Sequence, residues 1–351
     1  MTRLTRLTAA TAALSLLVAG CTRVESAQEP TTGPDKGPAT ELRLGFFPNV
    51  THASALIGLE EGLFAKELGA TRLVPTKFND GSTEMSAFLG GSLDAGFIGS
   101  GPAINGFGKS DGKAVRLVAG GTSGGAQFVV SADITTAEDL AGKTVVTPGL
   151  GSTQDVALKK WLVEKGLTDK VEVTNRENPQ TFDAFKKGEV QAAWLPEPWA
   201  SRLVLDAGGK VLLDEKDLWT DGKFPTTVLL VRTQFLRDHP QTVKALLRGL
   251  LAANDFAKAD GAGAKAAINK QLEALTGKGL APPVIDRAFT TIALDPDPLA
   301  GTFPQLAKDA VTAGVAAKET ELSGFVDLTA LNEVLKAAGK PAADAAGLDK
   351  K

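Results

Sequence analysis

Several hydroxyl and amide side chains lie between positions 144 and 155. In this stretch a short run of β-branched residues, a predicted strand, is followed by a turn and a predicted helix. After the run come a Pro-Gly-Leu-Gly turn and then Ser152, Thr153 and Gln154. The first amides of a helix lack intrahelical partners and lie at the positive end of its dipole. Glycines in the turn let a ligand approach those amides closely. The stretch predicts a cradle for a small anionic or polar group. The alternative is an ordinary strand-to-helix connection in which Ser152 is the N-cap.

Residue types that carry catalysis or hold metals are scarce. The chain has one cysteine, Cys21, two histidines far apart, His52 and His239, and no tyrosine. A single cysteine forms no internal disulfide and argues against a cysteine-based metal site. We therefore expect no catalytic residue, no metal site and no cofactor.

Composition narrows the class of protein. A length of 351 residues suits two domains, and 43% hydrophobic with 23% charged residues is typical of a soluble globular protein. The formal net charge is -3, so no overall basic field points to nucleic acid as a partner.

The first residues resemble an export signal. Arg3 and Arg6 precede an apolar run over 7–19, which is too short for a membrane span, and the run ends at Gly20-Cys21. Small residues before a lone cysteine resemble a bacterial lipobox. We expect a signal peptide over 1–20, lipidation of Cys21, a lipid-anchored protein on the extracytoplasmic side of the cell membrane, and a disordered tether over 21–40. The alternative is a plain secretory signal with an incidental cysteine.

Strand and helix patterns alternate along most of the chain. Strands are predicted at 41–47, 72–78, 92–98, 115–119, 127–131, 144–147, 171–174, 190–194, 210–213 and 226–231. The chain is mostly helical from 233 onward, with helices at 241–257, 262–276, 283–291, 303–313 and 328–338. A glycine-dense loop is predicted at 120–125. This order indicates an α/β fold with parallel-rich sheets covered by helices.

The alternation stops and restarts, which predicts two lobes. Lobe 2 (132–231) is inserted into lobe 1 (41–131 and 232–340), and the tail 341–351 is expected to fray. Two chain crossings, near 127–131 and 226–232, would form a hinge.

Ligands of open α/β sheets bind beyond the carboxyl ends of the strands. Strand exits and helix starts here carry mostly small polar residues, with Ser82 as a candidate helix cap. The predicted substrate-binding residues are Asn49, Thr51, His52, Gly81, Ser82, Ser100, Gly101, Gly125, Gln127, Ser152, Thr153, Gln154, Asn178, Glu197 and Trp199. No lysine or arginine lies in the exit loops of lobe 1, and Arg176 alone lies near an exit of lobe 2. That leaves room for a neutral or zwitterionic solute.

Three segments resemble a known family. They are the start of the fold over 42–64, the stretch Gly91-Ser92-Leu93-Asp94-Ala95-Gly96, and the turn Leu195-Pro196-Glu197-Pro198-Trp199. The chain resembles, over 41–338, the ABC-transporter periplasmic solute-binding lipoproteins for nitrate, sulfonate and taurine, and most closely those for aliphatic sulfonates.

The resemblance implies a bilobal periplasmic-binding-protein (Venus-flytrap) fold with a two-crossing hinge. It also implies capture of a small anionic solute, an aliphatic sulfonate first and nitrate or taurine next. The implied partners are that solute, the ABC permease and ATPase subunits, and the membrane through the N-terminal lipid. We expect a monomer.

Four side chains have a structural interpretation as well as a ligand-binding one. His52 could donate a hydrogen bond to a bound anion, or it could simply lie next to a helix N-cap. Trp199 could contact an apolar part of the solute, or it could pack against the proline-containing turn. Glu197 holds its turn or bridges the lobes, or else it pairs with a ligand amine. Asp94 is expected to tighten its own turn rather than contact solute.

Three other functions stay open. One is binding of a thiamine, pyrimidine or other vitamin precursor, and another is solute sensing. The third is an enzyme on the same fold, such as a thiamine-pyrimidine synthase. Those synthases carry a cysteine-rich motif, whereas Cys21 is the single cysteine here.

Overall fold

The computed structural model describes residues 35–350, so the predicted signal peptide and Cys21 lie outside the described residues. The strands, in chain order, are β1 (Glu41–Phe46), β2 (Arg72–Lys77), β3 (Ala95–Ile98), β4 (Val115–Gly124), β5 (Ala126–Val130), β6 (Thr144–Thr147), β7 (Glu172–Asn175), β8 (Ala192–Pro196), β9 (Lys210–Asp214), β10 (Pro225–Arg232) and β11 (Ile292–Leu294).

Helices separate most of these strands and make up nearly all of the C-terminal part. They are α1 (Ala53–Glu60), α2 (Leu63–Leu68), α3 (Gly81–Leu89), α4 (Ser100–Lys109), α5 (Thr153–Glu164), α6 (Asn178–Lys186), α7 (Trp199–Asp206), α8 (Thr233–Asp238), α9 (Pro240–Ala259), α10 (Gly261–Thr276), α11 (Pro282–Thr290), α12 (Phe303–Thr312) and α13 (Thr329–Ala337). Short 3-10 turns lie at Val50–His52, Glu138–Leu140, Glu215–Leu218, Thr220–Gly222 and Ala300–Thr302. None of the helices within residues 35–350 is both long and apolar enough to cross a membrane.

Two sheets organise the chain, which confirms the predicted α/β class. Within residues 35–350 both sheets are mixed, with four parallel and five antiparallel strand pairings. Lobe 1 contains a six-stranded sheet in the order β11-β4-β10-β3-β1-β2, and lobe 2 contains a five-stranded sheet in the order β7-β6-β8-β5-β9. In lobe 1, β1 pairs in parallel with β2 and β3, and β10 is antiparallel to its neighbours. In lobe 2, β6 pairs in parallel with β7 and β8, and β5 is antiparallel.

Each sheet buries alternate apolar side chains under helices. In β1, Leu42, Leu44 and Phe46 are buried, as a period of two requires. In lobe 2, the Phe128 ring stacks on Trp194 with centroids 5.2 Å apart and meets Trp161 edge-on at 5.5 Å. These aromatic contacts fill one face of the lobe 2 sheet.

Sheet membership differs from the predicted lobe boundaries. Strand β5, placed by prediction in lobe 1, pairs with β8 and β9 in lobe 2, whereas β10, placed in lobe 2, pairs with β3 and β4 in lobe 1. The predicted glycine-dense loop is also wrong, because residues 120–124 continue β4. The first crossing is therefore Gly124-Gly125, whose φ values of 78° and 75° suit glycine. The second crossing is the segment 215–224.

Both predicted disordered ends are corrected where the structure describes them. Within the predicted tether, Lys36 pairs with Asp238 at 2.8 Å and Ala39 is buried against lobe 1. The predicted frayed tail packs onto α13, where Asn332 exchanges hydrogen bonds with the Ala343 backbone at 2.9 and 3.1 Å. Smaller differences are that β3 begins at Ala95 and that α8 and β11 were not predicted.

Candidate functional site

A cavity lies between the two lobes, with about 580 Å³ of space free of protein atoms, part of it open to solvent. Both sheets contribute to it through the loops beyond their strands. Its lining consists of Phe47, Asn49, Thr51, His52, Asn79, Asp80, Gly81, Ser82, Gly99, Pro102, Pro148, Gly149, Leu150, Ser152, Thr153, Gln154, Asn178, Pro196, Thr226 and Thr227. Because parallel strands end at one edge of a sheet, their exits converge on a shared crevice.

His52 reaches the cavity from the loop after β1. Its ring stacks on Phe47 with centroids 4.5 Å apart, and its Nδ1 accepts the Phe47 backbone N–H at 3.2 Å. Burial lowers the pKa of His52 to about 3, because a charged imidazole loses its hydration there. The ring is therefore neutral near pH 7 with its proton on Nε2, which makes it a hydrogen-bond donor rather than a cation.

The start of α3 brings a carboxylate to the cavity. Asp80 is the N-cap of this helix, and its Oδ1 accepts the backbone N–H groups of Ser82 and Thr83 at 2.9 Å each. The prediction that Ser82 caps this helix is wrong, because Asp80 occupies that position with a more favourable, charged acceptor. Ser82 instead contributes to the cavity lining.

The start of α5 brings hydroxyl and amide groups from lobe 2. Ser152 is the N-cap, since its hydroxyl accepts the Asp155 N–H at 3.2 Å, and it also lines the cavity. Thr153 and Gln154 follow on the first turn and are buried. The two interpretations of this stretch are thus compatible: Ser152 caps the helix, and the helix start faces the cavity.

Two buried side-chain oxygens of residues that line the cavity have no hydrogen-bond partner within residues 35–350. They are Oδ1 of Asn178, at the start of α6 in lobe 2, and Oγ1 of Thr227, on β10 in lobe 1. Their residues are 7% and 1% exposed. Both atoms are inaccessible to solvent, so neither faces the open part of the cavity.

Six predicted site residues lie outside the cavity lining. Ser100 and Gly101 begin α4 and contact lobe 2 directly: Gly101 N–H donates to Thr153 Oγ1 at 3.2 Å, and the Ser100 hydroxyl lies 3.4 Å from it. Gly125 lies in the first crossing. The remaining three are Gln127, Glu197 and Trp199.

Glu197 and Gln127 bind an arginine rather than facing the cavity. Arg287, on α11 of lobe 1, donates to Glu197 Oε1 at 3.2 Å, to Ser201 Oγ at 2.8 Å and to Gln127 Oε1 at 2.6 Å. Glu197 is fully buried, and burial raises its pKa although the hydrogen bonds from Ser201 and the charge of Arg287 oppose the rise. Of the predicted interpretations of Glu197, the bridge between lobes fits this geometry.

Trp199 also bridges the lobes, because its Nε1–H donates to Asn49 Oδ1 at 3.0 Å. The NH2 end of the Asn49 amide therefore faces away from that bond and can donate to a solute. Asp94 lies away from the cavity and pairs with Arg43 at 2.6 Å and Arg232 at 2.9 Å, so it holds strands together rather than only its own turn.

Sequence reasoning missed part of the lining. Nine of the missed residues lie within a few positions of a predicted one and could have been included as its neighbours. They are Phe47, Asn79, Asp80, Gly99, Pro102, Pro148, Gly149, Leu150 and Pro196. Thr226 and Thr227 had no such signal, because β10 was assigned to the other lobe. Within residues 35–350, no three histidine, cysteine, aspartate or glutamate side chains are placed to hold a metal ion.

Comparison with known proteins shows the family of this chain and several proteins that it resembles. A family model described as the NMT1-like family matches residues 35–271. The Taurine-binding periplasmic protein of Escherichia coli is 30% identical over 202 residues, which cover 57% of this chain and 61% of that protein. The Nitrate/nitrite binding protein NrtA of Nostoc is 26% identical over 287 residues, which cover 71% of this chain and 64% of that protein. The chain therefore spans less than two thirds of the length of either relative.

Two solved structures share the fold. The alkanesulfonate-binding protein SsuA of Xanthomonas axonopodis, bound to MOPS, superposes with a TM-score of 0.67 at 21% identity, covering 80% of this chain and 96% of that one. The periplasmic nitrate-binding protein NrtA of Synechocystis gives a TM-score of 0.70 at 18% identity, and the match covers 86% of this chain and 90% of that one. The predicted bilobal periplasmic-binding-protein fold is thereby confirmed.

Proposed function

This chain belongs to the NMT1-like family, and from that premise we propose that it is the extracytoplasmic solute-binding component of an ABC importer. The observation that carries the proposal is the cavity between the lobes, lined from both sides by strand exits and helix starts. Relatives named as taurine- and nitrate/nitrite-binding proteins support the same role. Its partners in this role are a membrane permease and an ATPase.

Capture requires the lobes to part and close around the solute. The hydrogen bonds between the lobes on the cavity side are neutral, such as the Gly101 N–H to Thr153 and the Trp199 indole to Asn49. Neutral hydrogen bonds contribute about 1 kcal/mol each, so solvent can replace them when the cavity opens.

The solute we propose is a small organic sulfonate. A sulfonate group accepts several hydrogen bonds, and the cavity offers donors at His52 Nε2, at the Asn49 amide and at the start of α5. Phe47 and Leu150 add apolar surface that suits a carbon chain. Nitrate has no carbon chain and would leave this apolar surface without a partner, so it suits the cavity less well.

Ligand-dependent stabilisation tests the proposal. A ligand at about 100 times its Kd stabilises the folded state by about 2.7 kcal/mol, which raises the melting temperature by several degrees. We expect taurine or a short alkanesulfonate to do so at millimolar concentration, with a smaller shift from nitrate and none from sodium chloride at equal ionic strength. A melting temperature unchanged by every sulfonate would refute the proposed solute class, and a shift with a pyrimidine precursor alone would assign the vitamin-binding alternative.

Membrane attachment through Cys21 is part of the proposed role, although this residue lies outside the described residues. We expect the parent protein in the membrane fraction and Cys21→Ser in the soluble extracytoplasmic fraction, because the lipid anchor depends on the thiol. Thr22→Ser, next to the cysteine, is the matched control and should stay with the membrane. Equal membrane retention of Cys21→Ser and the parent would show that no lipid is attached there.

A further inference from the structure

A loop of lobe 1 lies against a turn of lobe 2 at one edge of the cavity. The loop, residues 47–52, follows β1 and contributes four residues to the cavity lining, which are Phe47, Asn49, Thr51 and His52. The turn, residues 196–199, joins β8 to α7. The Thr51 backbone N–H donates to the Glu197 carbonyl oxygen at 3.3 Å. Lobe 2 therefore contacts, through this turn, the part of lobe 1 that lines the cavity.

Trp199 makes a second bond between this turn and this loop, and that bond fixes the orientation of an amide. Its indole N–H donates to Asn49 Oδ1 at 3.0 Å. An indole nitrogen donates and does not accept, so the amide oxygen must face Trp199 and the NH2 group must face the other way. Within residues 35–350, Nδ2 of Asn49 has no hydrogen-bond partner, yet it is not among the side-chain atoms that are inaccessible to solvent. This NH2 group is therefore available as a donor in the cavity.

Contacts within lobe 2 hold the indole ring in place. The guanidinium carbon of Arg202 lies 4.7 Å from the ring centroid of Trp199 and 4.1 Å from that of Phe182. A planar guanidinium packs well on aromatic faces, so Arg202 ties the two rings together. The Asn49 amide has no comparable support, because the last torsion of an asparagine side chain is broad. Trp199 is thus the fixed partner of this bond, and Asn49 is the partner that it orients.

We propose that Trp199 is a positioning residue for solute binding, which acts from lobe 2 to hold the Asn49 amide of lobe 1 with its NH2 group toward the cavity. This inference rests on the proposed solute-binding function and assigns a role to a residue outside the cavity lining. Without the indole N–H, the amide would be free to turn its oxygen toward the cavity, where it would repel the oxygens of an acidic solute. Because the bond joins the two lobes, the donor is oriented only while the lobes are in contact.

Trp199→Phe tests the bond, because phenylalanine keeps an aromatic ring beside Arg202 and lacks the N–H donor. The probes are taurine and ethanesulfonate, titrated calorimetrically into the parent and the variant. We expect about fivefold weaker binding of each probe that the parent binds, which is the effect of losing one neutral hydrogen bond. A bond with a structural role alone would lower the unfolding free energy and leave the affinity of the folded protein unchanged.

The matched control is Trp161→Phe. Trp161 lies in the apolar core of lobe 2, outside the cavity lining, and its indole makes no hydrogen bond within residues 35–350. This control loses the same ring area in the same lobe, so its stability should fall while its affinity for both probes stays that of the parent. Arg202→Lys keeps the charge but not the planar contact with the indole, and should weaken binding by about twofold.

Substitutions at Asn49 show whether Trp199 acts through this residue. Asn49→Ala removes the donor, so the addition of Trp199→Phe should cause no further loss of affinity in that background. Asn49→Asp keeps an acceptor for the indole and places a carboxylate oxygen where the NH2 group was. It should therefore weaken ethanesulfonate binding by more than about tenfold.

The outcomes separate this inference from the proposed function. Parent affinity in Trp199→Phe, or a further fivefold loss when Trp199→Phe is added to Asn49→Ala, overturns the positioning role and leaves the importer role intact. A loss in Trp199→Phe that disappears in the Asn49→Ala background supports the positioning role. Failure of the parent to bind either probe overturns the proposed solute class and this inference with it.

Discussion

Two of the contacts between the lobes differ in their chemistry. The hinge-side contact joins Arg287 of lobe 1 to Glu197, Gln127 and Ser201 of lobe 2, with a charged pair and donor–acceptor distances from 2.6 to 3.2 Å. The cavity-side contact joins Ser100 and Gly101 to Thr153 through neutral groups at 3.2 and 3.4 Å.

The difference follows from what each contact has to do. A buried ion pair beside the crossing at Gly125 strongly favours one arrangement, because separating the charges would leave Glu197 buried and uncompensated. Long, neutral hydrogen bonds at the cavity can be exchanged for bonds to water or solute at small free-energy difference. The lobes are therefore held together at the hinge and can part at the cavity.

Removing the hinge-side charge should have the largest effect. Arg287→Ala leaves Glu197 buried without its cation, and breaking such a pair costs about 3–5 kcal/mol of unfolding free energy. Urea denaturation measures the loss. The matched control is Arg248→Ala, which breaks the more exposed pair with Glu67 and should cost less than about 1 kcal/mol. A loss in Arg287→Ala no larger than in the control would show that the hinge-side contact does not hold the lobes.

A second substitution, at Glu197, tests whether the buried carboxylate causes the loss in Arg287→Ala. Glu197→Gln in the Arg287→Ala background removes the uncompensated carboxylate, so the double variant should be more stable than Arg287→Ala alone. Additive losses would mean that the two side chains act independently.

A second buried carboxyl on the hinge side should give a pH-dependent stability. Glu215 begins the second crossing, accepts the Trp194 Nε1–H at 2.8 Å, and has a pKa raised by burial from 4.5 to about 8. Since the folded state holds this proton more tightly than the unfolded state, stability declines as pH rises between these two pKa values.

Glu215→Gln isolates that contribution, because glutamine keeps an acceptor for Trp194 and has no proton to lose. We expect the unfolding free energy of Glu215→Gln, relative to that of the parent, to increase by about 2 kcal/mol between about pH 5 and about pH 8. One titrating proton can change this free energy by at most roughly 1.4 kcal/mol per pH unit. Unfolding by urea at several pH values measures it. A pH-independent difference between the two proteins would contradict the raised pKa.

Substitution on the cavity side should affect binding more than stability. Thr153→Val removes one hydroxyl and keeps the side-chain shape, so we expect about tenfold weaker binding of the solute and little change in unfolding free energy. Ser152→Ala is the complementary variant: it removes the helix cap, which should lower the unfolding free energy by about 1 kcal/mol. Full affinity in Thr153→Val would exclude its hydroxyl from solute binding.

Local patterns in the sequence were sufficient for most of the fold. Alternating apolar residues such as Leu42, Leu44 and Phe46 predicted a strand because a period of two buries one face, and the structure buries all three. The cap at Ser152 was likewise a local signal, since it depends on a bond to Asp155 three residues ahead. The loop around His52 and the start of α5 line the same cavity, because strand exits of parallel sheets converge.

Tertiary structure decided which polar residues face the cavity. Gln127 lies at the start of β5 and Glu197 directly follows β8, yet Arg287 binds them from 160 and 90 positions further along the chain. Thr227 lines the cavity because β10 returns to the sheet of lobe 1, where it pairs with β3 and β4. Short-range patterns record periodicity and caps, which are local. Such local patterns do not predict which distant strand or cation a side chain will contact, because those contacts depend on how the two lobes pack.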